Sequence, residues 1–110
     1  WLNERGGALH QIIAGDMNEV PSGSAIRFAK QQYTSAYEAV YGREPIATWP
    51  TAMIRSEGDW SGCLDYIFVS PTFEVTAVQL IGTQHHPDYD QIYPSDHVGL
   101  IATLKLRSNG

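Results

Sequence analysis

Two short runs, Leu9–Ala14 and Leu64–Val69, carry apolar side chains on both of their alternating faces. A strand with one solvated face alternates apolar and polar residues, whereas a strand covered on both sides does not. Each run therefore predicts a strand that needs packing from two directions. The chain has material for one of them. Pro21-Ser22-Gly23-Ser24 offers a helix start, and Ile26, Ala29 and Tyr33 have helical spacing, which predicts a helix over 25–33. A second short helix is expected over 35–41, ended by Gly42. Two helices cover one sheet face, so the other is expected to pack on something outside this chain, either an absent half of the domain or a second copy.

The remaining pattern fills in the sheet. Tyr66, Ile67, Phe68 and Val69 form a β-rich run stopped by Ser70-Pro71. Over 73–81, Phe73, Val75, Ala77, Gln79 and Ile81 are expected to face one way, with Val78 and Leu80 partly filling the other. A last strand is expected over 98–106, a short extended piece at Thr48-Trp49-Pro50-Thr51, and polar loops over 55–62 and 82–94. Trp1–Arg5 reads as a helix end closed by Gly6-Gly7. The fold class is α+β: about four strands in one sheet, with helices on one face.

Composition removes several classes of protein. A chain of 110 residues holds one domain at most, and 43% hydrophobic against 17% charged residues argues against disorder. No apolar run approaches the roughly 20 residues of a membrane helix. One cysteine, Cys63, excludes an internal disulfide framework and a cysteine-based zinc site, and reads as a small buried apolar side chain. The net charge of -5 argues against broad binding to nucleic-acid backbone and leaves a local phosphate site open. The chain begins at Trp1 with no initiator Met and no signal pattern, so it is expected to be a fragment or a processed product, and the single thiol with the absent signal points to a cytoplasmic setting.

Three polar clusters fall at strand ends, where ligand sites of open sheets gather: Gly15-Asp16-Met17-Asn18, Leu64-Asp65-Tyr66-Ile67-Phe68 and Ser95-Asp96-His97. Asp16 and Asn18 alone suit a simple turn. Asp65 is different, because a carboxylate inside an apolar strand is costly unless it is paired. A buried Asp that holds a His in one tautomer raises the imidazole pKa. An Asp–Asn pair can hold a water and donate to a phosphate oxygen. A further carboxylate suits a hard divalent cation such as Mg²⁺. Together these are the parts for attack of water on a phosphate ester.

With these three motifs in this order, the chain resembles the endonuclease/exonuclease/phosphatase superfamily. Ser35-Ala36-Tyr37 before Thr48-Trp49, and Tyr93-Pro94 directly before Ser95, are similar to its nocturnin and deadenylase-like branch. The resemblance runs from about Ile12 to Leu106. It implies that residues 1–110 are the C-terminal half of a catalytic domain, half of a four-layer α/β/β/α sandwich. The N-terminal half, with a metal-binding Glu, another Asn and a His, has no counterpart here. Position by position, the resemblance implies that Asp16 orients or deprotonates the attacking water and that Asn18 donates to the scissile phosphate. Asp65 holds His97, His97 contacts the phosphate, and Asp96, with Asp16, lies at a Mg²⁺ or Mn²⁺ ion. The substrate implied is a phosphate ester, RNA or a nucleotide among the options, and the fragment alone is expected to be inactive. Met17 replaces the commoner Phe or Leu.

Trp60 lies in a polar loop and is the better candidate to stack on a base, with Trp49 at the core or rim. His85-His86-Pro87-Asp88-Tyr89-Asp90 reads as a solvated loop, because adjacent side chains of an extended segment diverge. A second functional class also fits: a non-catalytic binding or assembly module that retains the fold.

Overall fold

A computed structural model describes residues 9–51, 60–89 and 92–107. The expected helix end at Trp1–Arg5, most of the loop over 55–62, and Asp90 lie outside the described residues. Strand β1 (Ile12–Asp16) is followed by helix α1 (Ser24–Lys30), the two-residue strand β2 (Thr34–Ser35) and helix α2 (Ala36–Tyr41). Strands β3 (Asp65–Val69), β4 (Phe73–Ile81) and β5 (Gly99–Leu106) complete the chain. Gly42 ends α2 at φ 77°, a left-handed cap that glycine adopts without steric cost. Among the described residues no helix is long and apolar enough to cross a membrane.

The α+β class holds, but the strands form two hydrogen-bonded ladders instead of one. β3 is the middle strand of a three-stranded sheet in the order β1-β3-β2, and β4 pairs with β5 as a separate antiparallel ribbon. The reason lies at the second edge of β3, where β2 occupies Phe68 and Val69. β5 comes alongside the remaining stretch without entering the ladder. Asp65–Ile67 and Val98–Leu100 line a cleft of about 180 Å³ there. Helix α2 lies against both β3 and β4, and its Tyr41 hydroxyl donates to the Val78 carbonyl at 2.8 Å, so it straddles the two ladders.

Pairing with β3 also carries β1 two residues beyond its expected end. Ile13 lies opposite Phe68, Gly15 opposite Tyr66 and Asp16 opposite Asp65. Directly opposed residues share a face, which sorts the side chains. Tyr66 and Phe68 are buried with Ile26 and Cys63, and Ile13, Met17, Ala29 and Tyr33 pack around them. This is the helix-covered core that the spacing of Ile26, Ala29 and Tyr33 pointed to. The opposite face carries Ile12, Ala14, Asp16, Asp65, Ile67 and Val69. Val69 is buried there, while Ile12 is 54% exposed.

In β4 the expected alternation fails halfway. Phe73 and Val75 are half-buried, but Ala77 is exposed while Val78 is buried. Val75 pairs with Leu104 and Ala77 with Thr103, leaving Thr76 as an extra residue in the ladder. Such a bulge shifts the period-2 pattern by one, so the inward set changes from odd to even positions.

Candidate active site

Asp16 and Asp65 face each other across the β1–β3 ladder at the end of the second sheet face. Like charges directly opposite destabilise a sheet pair, so this register calls for a cation between them. His97 supplies one. Its Nδ1 lies 2.8 Å from Asp65 Oδ2 and its Nε2 lies 3.7 Å from Asp16 Oδ2. An ionised carboxylate only accepts, so Nδ1 carries the hydrogen and Nε2 is left toward Asp16. The Asp65 hydrogen bond raises the His97 pKa above its ordinary value of 6.5. Partial burial opposes this, and the charges of Asp65, Asp16 and Asp96 add to the rise.

Each member is held by its local chain. Met17 N–H donates to Leu64 O at 2.8 Å, which locks the start of the 17–20 loop to the entrance of β3. Asp16 Oδ1 accepts the Asn18 N–H at 2.8 Å, leaving Oδ2 for His97. The turn suggested by the Asp–Asn pair is thus real, and it serves the site. Asn18 sits at φ 55°, a conformation that asparagine tolerates better than most residues. Tyr66, beside Asp65, directs its buried hydroxyl at the carbonyls of Glu19 and Cys63, at 2.8 and 3.1 Å. Burial raises the Tyr66 phenol above its usual value and pushes the Cys63 thiol up to about 11, so both stay neutral near pH 7. On the His97 side, Ser95 Oγ accepts the His97 N–H at 3.0 Å.

The structure therefore brings Asp16, Asp65 and His97 together: one ligand atom from each lies within 4.8 Å of the others. Asp96 stands outside that trio. Its Oδ2 accepts the indole N–H of Trp49 at 3.3 Å. Asn18, Trp49, Trp60, Leu64 and His97 line an open cleft of about 320 Å³ beside the trio. The Trp49 and Trp60 rings are tilted, 5.9 Å apart between centroids, and Trp60 is 54% exposed. Trp49, expected at the core or rim, is a cleft wall as well. Leu64 was not singled out for the cleft, and its position directly before Asp65 is the signal that places it there.

Thr48 and Thr51, two buried hydroxyl residues at the junction, also escaped sequence reasoning; only the Thr48-Trp49 string hinted at them. The histidine loop reads as expected. His85 Nδ1 lies 2.7 Å from the His86 carbonyl, and His86 Nδ1 accepts the Asp88 N–H, both at exposed positions.

The donor chemistry suits a hard divalent cation. Two carboxylates, Asp16 and Asp65, flank one imidazole, with Asp96 outside the trio, and oxygen donors are what Mg²⁺ and Mn²⁺ take. The result is a carboxylate–imidazole–carboxylate array at a sheet rim, beside an open aromatic cleft. The chain belongs to the Endonuclease/Exonuclease/phosphatase family, whose model matches residues 1–97. Its structure is similar to the crystal structure of the endonuclease/exonuclease/phosphatase from Bacteroides vulgatus, at 21% identity and a TM-score of 0.65. The match covers 96% of this chain and 40% of that one, so the chain spans well under half the length of the structure it resembles. No curated protein matches the chain significantly.

Proposed function

We propose that this chain is the C-terminal half of a divalent-metal-dependent phosphoesterase. The observation that carries this is the facing pair Asp16 and Asp65 bridged by His97 beside an open cleft that His97 also lines. Asp65 fixes the tautomer and orientation of His97. His97 presents Nε2 to a phosphate oxygen and stabilises the charge that develops there. Asp16, with Oδ2 free of the turn, orients a water and takes its proton. Asn18 donates to the phosphate from the cleft wall. Asp16 and Asp96 would hold Mg²⁺ or Mn²⁺, which when bound supplies positive charge to the phosphate and lowers the pKa of a coordinated water.

The second face with Ile12 and Ala14 is the surface on which the N-terminal half packs, or failing that a second copy of this chain. The strings that resemble the nocturnin branch favour RNA ends or nucleotide phosphates as substrates, and Trp60 is placed to stack on a base. The test is a panel of phosphodiesters and phosphomonoesters offered to the complete protein with Mg²⁺ and with Mn²⁺. Hydrolysis that stops with chelator is the expected result, and the isolated 110-residue chain is expected to be inactive. Full activity in excess chelator would remove the metal from the proposal.

A further inference from the structure

We propose that Thr48 is a positioning residue that sets Asp65 against His97. The inference rests on the reading of the Asp16–Asp65–His97 group as a reaction centre, but its main test does not.

The two halves of the Asp65–His97 pair come from different ladders. Asp65 opens β3 in the three-stranded sheet, and His97 lies two residues before β5 of the ribbon. No shared strand pairing fixes their separation. Thr48 makes the connection. Its hydroxyl, on a residue with no solvent exposure, accepts the backbone N–H of Leu64 at 2.8 Å and of Asp65 at 3.1 Å. Its backbone carbonyl accepts the N–H of Val98, next to His97, at 2.8 Å. One residue thus bonds the Asp65 amide through its side chain and the neighbour of His97 through its main chain. The same segment adds Thr51 N–H to the Asp96 carbonyl at 2.9 Å and the Thr51 hydroxyl to the Ser95 carbonyl at 3.1 Å.

A hydroxyl oxygen has two acceptor sites, and here both meet main-chain N–H groups at the mouth of the active strand. Valine has nearly the same shape but cannot accept, so Thr48→Val leaves two buried donors unsatisfied. The entrance of β3 then relaxes away from residue 48, and Asp65 moves relative to His97. Serine keeps the acceptor and loses a methyl group.

The test reads the tautomer of His97 by two-bond ¹⁵N–¹H correlation in the ¹⁵N-histidine-labelled chain, at a pH where the imidazole is neutral. The resonance is assigned by its loss in His97→Gln. The parent and Thr48→Ser are expected to hold the Nδ1–H form that Asp65 selects. Thr48→Val is expected to shift His97 toward the Nε2–H form that predominates in free histidine. Val78→Ala, in the ribbon core, is the control: it lowers Tm and leaves the tautomer unchanged.

A folded Thr48→Val chain that keeps the Nδ1–H form would overturn the assignment, as would a parent chain without that form. If Thr48→Val does not fold, Thr48→Ser decides, since loss of the Nδ1–H form there would trace the effect to methyl packing. In the complete protein, with bis(p-nitrophenyl) phosphate and Mg²⁺ as the probe, Thr48→Val is expected to lower kcat about 10²-fold with little change in KM, the scale of a small misplacement of reacting groups. Thr48→Ser should stay within a few-fold of the parent. No turnover by any form would count against the phosphoesterase reading, while the tautomer result would stand by itself.

Discussion

The three-stranded sheet and the β4–β5 ribbon are secured by different means. In the sheet, Tyr66 and Phe68 are 1% and 2% exposed, packed with Ile26 of α1. Among the described residues of the ribbon only Val78 is buried, and the ladder itself holds the two strands together. The site belongs wholly to neither. Asp16 and Asp65 stand on the sheet, His97 arrives from the approach to the ribbon, and hydrogen bonds of residues 48–51 close the gap. Apolar burial stabilises the platform, while directional polar contacts set the distances that matter for chemistry. The two jobs are separable because burial is non-directional and hydrogen bonding is not.

The largest expected effect tests that separation. In the complete protein Asp65→Asn, which removes one of the two facing charges, should lower kcat by about 10²–10⁴-fold, with Tm little changed by calorimetry. A large loss of Tm with modest loss of activity would show that the pair holds the fold. Next comes the contrast in burial. Phe68→Ala should cost about 3–5 kcal/mol of unfolding free energy, and Leu104→Ala, half-buried in the ribbon, about 1 kcal/mol. Equal losses in denaturant titrations would show that sheet and ribbon share one core.

The smallest effect is the pH dependence. His97 has a raised pKa in the folded chain, so its contribution to stability is complete below the unfolded value near 6.5 and fades as pH rises through the folded value. The stability difference between the parent and Asp65→Asn should therefore shrink between pH 5.5 and 9. A difference that grows over that range would reverse the sign of the Asp65–His97 interaction.

Much of the molecule was legible beforehand, for stated physical reasons. Helical spacing at Ile26, Ala29 and Tyr33 marked α1, and the apolar run before Ser70-Pro71 marked β3. The embedded carboxylate of Asp65 announced a partner, because a lone charge there is too costly. The alternation of β4 was misread past Val75, since an extra ladder residue such as Thr76 leaves no mark on composition. The two-residue β2 was too short to signal itself, and its occupation of the β3 edge is what splits the expected single sheet.

The sequence by itself determined the class of fold and the three polar clusters at strand ends, because periodicity and the cost of buried charge act locally along the chain. Tertiary structure alone decided that Asp16 sits opposite Asp65, that His97 reaches both, and that Asp96 turns to Trp49. Those facts depend on strand register and on contacts between segments far apart in sequence, such as Thr48 with Asp65 and Val98. A buried threonine looks like any other threonine until the chain folds around its hydroxyl.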